Sequence, residues 1–434
     1  MGVDTALYSG VSGLNANSNA MNVIGNNLSN SQTTGFKAER SLFSDMLASE
    51  VASAGGSSQI GRGVGLSTVD RKFSQGSFKD TGINTDMGID GDGFFMVSDP
   101  DQEGTKYTRD GSFRFDDEGN LVNASGYRVQ GYDIDEDGNV GGQLNDIHTD
   151  LSGSIEPSAT TEAKFATNLN QDAELVNGGA FDIDDPNASS NFSASVNVYD
   201  SLGASHQATI YFTKMDPTTD ENKWEYNLVL PAEEIDDGSD ELEILGQGKA
   251  EFDADGKLTD LTADTGSDSD VTDGVGSMTT KTIEWANDSN DSKILINFNL
   301  SQYSGESSLV SKSQNGFASG TLEDVSVDKD GIITGAYSNG QSRDLAQVGL
   351  AKFANPNGLL QDGNNLFTET QASGLASVGP PGSGAGTIRS NSLEQSNVDI
   401  AEQFSDMIVT QRAYQANSRT ITTSDEMLQE VINL

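Results

Sequence analysis

The sequence contains no cysteine. That excludes disulfides, thiol nucleophiles and cysteine-ligated metal centres. Basic residues are scarce as well. Against 67 Asp and Glu there are 24 Lys and Arg, for a formal net charge of −43. Such a surface repels nucleic-acid phosphates and anionic bilayers, so neither nucleic acid nor membrane insertion is expected. No run of 18 or more apolar residues occurs, so no membrane-spanning helix is expected. No Lys or Arg precedes Lys37, and Gly, Ser and Asn interrupt the apolar runs before it, so the pattern of a cleavable secretory signal is absent. Only two histidines occur, His148 and His206. Asp200, Ser205 and His206 crowd into one short strand-like run, where they cannot easily converge as nucleophile, base and orienting group. The Gly61-x-Gly63-x-Gly65 run precedes no strand–helix phosphate loop. Neither catalysis nor a cofactor is expected.

What is present divides the 434 residues into two similar ends and a different middle. Leu7, Val11, Leu14, Met21 and Leu28 follow steps of 4, 3, 7 and 7, with Ile24 widening the stripe. That spacing predicts a heptad-like seam on a helix. The C-terminal end repeats it: Ile400, Phe404, Met407, Gln411, Tyr414, Ser418, Ile421, Asp425, Leu428 and Ile432 alternate steps of 4 and 3. Ser396 and Asp399, at Ser-x-x-Asp spacing, predict its start. The N-terminal helix should depend on packing, because Gly10, Gly13 and Gly25 each cost roughly 1 kcal/mol relative to Ala. Its many Asn residues favour caps and turns over helix interiors.

Between the ends the period becomes strand-like. Tyr107–Phe115, Asn191–Tyr199, Gln207–Phe212, Trp224–Leu230 and Lys293–Leu300 read as strands. Asp-Gly pairs at Asp110, Asp137, Asp237, Asp255 and Asp330 predict tight hairpins. The Gly/Ser-rich stretches Ala52–Gly65 and Ala372–Gly386 read as linkers or irregular connectors. The expected fold is mainly β with α-helical termini: discontinuous and multi-domain, with coiled-coil-like terminal helices and two antiparallel β domains. Asp133-Ile-Asp-Glu-Asp-Gly138 matches half of a calcium loop, but Leu144 stands where a bidentate Glu belongs, so a hairpin turn is expected there and no metal. The weaker Asp253 and Asp328 runs are read the same way.

The run Leu14-Asn-Ala-Asn-Ser-Asn-Ala-Met-Asn-Val-Ile-Gly-Asn-Asn-Leu-Ser-Asn30, followed by Thr34-Gly-Phe-Lys37, resembles a motif shared by the axial proteins of the bacterial flagellum, which comprise the rod, hook and hook-associated proteins. Ser396-Asn-Val-Asp399 with Met407-Ile-Val-Thr-Gln-Arg-Ala-Tyr-Gln-Ala-Asn417 resembles its C-terminal partner. Gly91-Asp-Gly-Phe-Phe-Met-Val97 and Tyr107-Thr-Arg-Asp-Gly-Ser-Phe113 are similar to segments found across rod and hook proteins. Tyr199-Asp-Ser-Leu-Gly203, Ile210-Tyr-Phe-Thr213, Asp330–Gly340 and Leu350–Gly358 point to the hook branch.

The resemblance implies a homopolymer of many copies forming a flexible curved tube between the basal-body rod and the filament. It implies distal rod protein, hook cap, hook–filament junction proteins and the type III export gate as partners. It also implies an extracellular location in the basal body and hook, reached without a cleavable signal. It implies an inner helical stalk with connector (1–72 and 388–434), an inner β domain (73–150 and 314–387) and an outer β domain (151–313). Phe43-Ser-Asp-Met-Leu47 matches an element read by the export gate, although Phe43 and Leu47 could also form a local i, i+4 pair on a helix or turn. A distal-rod protein and a secreted calcium-dependent adhesin stand as alternatives.

Overall fold

The computed structural model describes the chain except residues 1, 48, 54–55, 101, 136–137, 151–152, 219–221, 236–241, 264–268, 273–274 and 434. It consists of two compact units. The first contains residues 1–151, 324–336 and 342–434, and the second residues 152–323 and 337–341.

In the first unit, the N-terminal helix Gly2–Ser29 packs on the C-terminal helix Ile400–Asn433. Asp399 caps the latter, its Oδ1 accepting the N–H groups of Ala401 (2.8 Å) and Glu402 (3.2 Å). Ser396 lies outside the cap and accepts from Val398 N–H, so the Asp, rather than the Ser of the expected pair, opens the helix. The segment expected to be a linker is largely β. Ser49–Ser53 pairs with Gly56–Ile60, and Glu39–Asp45 pairs with Val64–Arg71. Ser- and Gly-rich composition misleads here because the ladder uses backbone groups that every non-proline residue carries.

A sheet follows in the order Ile332–Tyr337, Ser342–Val348, Arg128–Ile134, Phe94–Asp99, Gln102–Thr108, Leu366–Thr368, Leu360–Gly363. Its core holds Phe94, Met96, Tyr107, Phe353, Leu359 and Phe367, with Phe73 packed alongside. Phe94 meets Phe73, Phe353 and Phe367 edge-on at 5.6–5.8 Å between ring centroids. The apolar content of the chain is low, and a few aromatics in edge-to-face contact supply much of this core.

The second unit is built from two five-stranded sheets. One is a meander of Phe192–Tyr199, Ser205–Lys214, Lys223–Pro231, Leu242–Phe252 and Leu258–Ala263. The other contains Glu162–Asn170 and Leu295–Tyr303, which pair in parallel, while the other described ladders of this sheet are antiparallel. Their inner faces bury Phe165, Phe212, Trp224, Tyr226 and Phe298 in one cluster. The predicted strands here all form, with boundaries shifted by up to two residues at most ends.

Asp255-Gly256 and Asp330-Gly331 occupy tight turns between consecutive paired strands. Asp137 and Asp237 lie outside the described residues, although the strands flanking Asp137 pair antiparallel as a hairpin should. Asp110-Gly111 is not a hairpin. Met87 N–H donates to Gly111 C=O at 3.0 Å, and a Cβ on Gly111 would sit 1.7 Å from the Met87 carbonyl. That glycine serves a close backbone crossing, and Asp110 Oδ1 holds the bend by accepting Ser112 N–H and Oγ–H.

Candidate assembly stalk and its buried polar junctions

The two terminal helices run antiparallel. Gly10 lies against Ile421, Gly13 against Asn417 and Asn27 against Gln403. An ideal Cβ on Gly10 would come within 2.9 Å of Ile421 Cγ1, and one on Gly13 within 2.6 Å of Asn417 Nδ2. The glycines that weaken this helix in isolation are thus the ones that let its partner approach closely. Among the described side chains of the two helices, the buried ones are small or polar, namely Gly10, Gly13, Ala16, Asn27, Gln403 and Ser424, with Ile24 the large exception.

Most of the apolar stripe read from sequence is therefore not fully buried within the subunit, although Ile421 lies against Gly10. Ile24 is buried; Leu7, Leu14, Met21, Leu28, Met407, Ile421 and Leu428 are partly buried. Val11 (46%), Ile400 (41%), Phe404 (49%) and Tyr414 (41%) are exposed, as is Ile408, which periodicity missed. On a helix of 3.6 residues per turn, Ile400, Phe404 and Ile408 share one open flank.

The hairpin Glu39–Asp45/Val64–Arg71 packs on the N-terminal helix. Gly63 (φ +108°) makes the tightest approach, since a Cβ there would sit 2.0 Å from Ser12 Oγ. Ser12 Oγ in turn accepts Val64 N–H at 3.2 Å. Phe43 lies in the strand opposite Leu66 and is 42% exposed, and Leu47 is 92% exposed. Phe43 thus stands in a strand and not on a helix, Leu47 lies just beyond the strand's end at Asp45, and both side chains are exposed.

Two polar junctions hold the stalk, and sequence periodicity gave no sign of either. Asn27 Oδ1 accepts Glu39 N–H (2.8 Å), and its Nδ2 donates to Glu39 C=O (2.7 Å) and Gln403 Oε1 (3.0 Å). Glu39 Oε1 accepts from Arg71 Nε (3.1 Å), and Arg71 Nη2 donates to Gln361 Oε1 (2.8 Å). The second junction is ionic. Glu394 is fully buried and takes Lys37 Nζ on Oε1 at 2.6 Å and Arg109 Nη1 on Oε2 at 3.3 Å. Gly76 N–H completes its shell at 2.8 Å. Lys37 also donates to Ser74 C=O, and Arg109 to Gly91 C=O while lying over the Phe94 ring. Burial is the main force pulling Lys37 and Arg109 below their ordinary pKa ranges, with the Glu394 carboxylate opposing it. Asn397 binds Ala38 N–H and the carbonyls of Lys72 and Ser74. The Thr-Gly-Phe-Lys and Ser-Asn-Val-Asp motifs thus meet in space, Asn397 N–H donating to Phe36 C=O at 3.4 Å beside the Lys37–Glu394 pair.

The calcium half-motif is spent internally. Asp135 Oδ1 accepts Asn139 N–H, and Asp133 Oδ2 accepts from Asn145. Among the described residues, no cluster of three or more His, Asp or Glu could hold a metal, and no helix is long and apolar enough to cross a membrane. His206 stacks on Trp285 at 4.1 Å between ring centroids, with both ring nitrogens facing carboxylates, those of Asp200 and Glu234.

Antiparallel terminal helices with an intervening β region define an axial-type subunit, and sequence comparisons agree. Residues 7–37 match "Flagella basal body rod protein" and 389–434 "Flagellar basal body rod FlgEFG protein C-terminal". Residues 88–163 match "Flagellar hook protein FlgE/F/G D1 domain", and 168–317 "Flagellar basal body protein FlaE D2 domain". The "Flagellar hook protein FlgE" of Borreliella burgdorferi is 34% identical over 460 aligned residues, covering 99% of both chains. That of Treponema pallidum is 33% identical over 99% of both, and that of Escherichia coli 34% over 99% of this chain and 100% of its own. The chain belongs to the flagellar hook protein family, and its role is that of a structural subunit of the hook. The distal-rod and adhesin alternatives give way to these full-length hook relatives.

Proposed function

We propose that the exposed flanks of the terminal helices are the seam through which copies of this chain polymerise into a flexible, curved tube that transmits torque from rod to filament. One observation carries this reading. Of the large apolar side chains described on the two helices only Ile24 is buried, and Val11, Ile400, Phe404, Ile408 and Tyr414 are open to water. Burying such a side chain fully stabilises an assembly by roughly 1.5–3 kcal/mol. A modest number per copy, repeated along a tube, offsets the mutual repulsion of strongly acidic subunits.

The proposed seam comprises the exposed Val11, Ile400, Phe404, Ile408 and Tyr414 with the partly buried Leu7, Leu14, Met21, Leu28, Met407 and Leu428; Ile24 and Ile421, read from sequence as part of it, are taken up within the subunit, Ile24 buried and Ile421 against Gly10. The proposed functional division is the stalk with connector (1–72 and 388–434) and two β domains (73–150 with 314–387, and 151–313). Distal rod protein, hook cap and junction proteins would contact the ends of the polymer. Phe43 and Leu47, exposed in an extended segment, are the proposed signal for the type III export gate on a route that needs no cleavable leader.

The decisive variant is Phe404→Asp. Because Phe404 is half exposed and outside the helix contact, the isolated subunit should melt as the parent does, while sedimentable polymer is lost. Curved tubes seen by electron microscopy in the Phe404→Asp protein would overturn the seam.

A further inference from the structure

Periodic stripes leave the register of two helices under-determined. Sliding the C-terminal helix by one heptad would place Tyr414 or Leu428 opposite Gly10 in place of Ile421. It would equally present a similar apolar flank to solvent. What differs between registers is the partner of Asn27. In the observed register it is Gln403; one heptad one way it is Thr410, and the other way it is position 396, which precedes the helix. A threonine side chain is shorter than a glutamine and ends farther from the N-terminal helix, and position 396 offers no helical partner.

Asn27 is 1% exposed and Gln403 8%. Both Asn27 amide hydrogens are committed, one to Glu39 C=O and the other to Gln403 Oε1, and its oxygen takes Glu39 N–H. The side chain behaves as a surrogate strand partner for Glu39 while donating across the helix pair. The neighbouring Asn26 and Asn30 are instead engaged mostly with each other on the surface. A buried amide pair in a helix contact made largely of small residues favours one register, because a slipped register leaves its donor unmade.

We propose that Asn27 and Gln403 are a register lock, a positioning pair that fixes where the terminal helices join and so which residues the stalk offers to other copies. The proposal rests on the assembly reading above but can fail independently of it. The lock is anchored, since Glu39 binds Arg71 and Arg71 binds Gln361 on the sheet. The helix register is thereby referred to the β part of the same unit.

The absence of native cysteine makes a direct test simple, because introduced thiols are the only ones present. In the soluble full-length chain, Gly10→Cys is combined with Ile421→Cys to report the observed register. It is combined with Tyr414→Cys or Leu428→Cys to report a slip of one heptad either way. In the parent background only the 10/421 pair should oxidise. In Asn27→Leu/Gln403→Leu, the slipped pairs should also form, lowering the preference for 10/421 by about tenfold. If 10/421 remains the sole crosslink in the double-leucine background, the lock is refuted. Loss of all three crosslinks also refutes it, since the amides would then supply pairing affinity and not register. Polymer yield is read separately: Phe404→Asp should lose polymer while keeping the 10/421 crosslink, so failure of the seam and failure of the lock give different results.

Discussion

Replacing Glu394 by Gln removes one negative charge from a site that holds two positive ones. The Glu394 side chain is fully buried, Lys37 is 1% and Arg109 4% exposed. The substituted amide would keep the size and one acceptor oxygen but leave Lys37 without its counter-charge and Arg109 with only the Asp92 carboxylate. Breaking a buried ion pair by removing one partner costs about 3–5 kcal/mol. For a unit of this size that corresponds to a fall of roughly 8–15 °C in melting temperature. Calorimetry of the full chain would measure it. A second substitution sharpens the test. Adding Lys37→Met to Glu394→Gln removes a cation that has lost its partner, so the double variant should melt above Glu394→Gln alone. Arg109 retains Gly91 C=O and the Phe94 ring in either case. The reasoning is refuted if Glu394→Gln melts within about 2 °C of the parent, or if adding Lys37→Met lowers the melting temperature further.

Three further outcomes follow from the same structure. Burial alone would raise the Asp200 carboxyl pKa, but hydrogen bonds from Asn287, Ala204 N–H, His206 and Ser289 outweigh it and hold the group below the usual carboxylate range. The stability this gives is present above the unfolded value of about 3.9 and is lost as pH falls through the depressed folded value. Asp200→Asn should therefore flatten the acid limb of a stability–pH curve, and an unchanged slope would count against it. Gly25→Ala should raise helix stability by roughly 1 kcal/mol, since a Cβ there meets nothing within 4 Å. Gly63→Ala, at φ +108° and hard against Ser12, should lower the melting temperature; equal effects of the two would refute the close-approach argument. Asp399→Ala should cost about 1 kcal/mol of C-terminal helix stability through loss of the cap, read as reduced protection of Ala401 and Glu402 amides in hydrogen exchange.

Sequence alone determined the parts governed by local periodicity and local chemistry. The heptad spacing of Leu7 to Leu28 and Ile400 to Leu428 marked both helices. Alternating β-branched and aromatic runs marked the strands of the second unit, because a residue's neighbours two or three to four positions away share its face. The terminal motifs carried the family likeness. Tertiary structure decided what depends on residues distant in the chain. Gly10, Gly13 and Asn27 look like helix defects until Ile421, Asn417 and Gln403 are placed opposite them. Composition marked residues 52–65 as a linker, yet backbone pairing makes most of that stretch β. Lys37, Arg109 and Glu394 are three isolated charges in the sequence, and only folding brings them into one buried site where the low dielectric makes their pairing count. Periodicity identifies which side chains share a face, but it carries no information about which distant surface will cover that face.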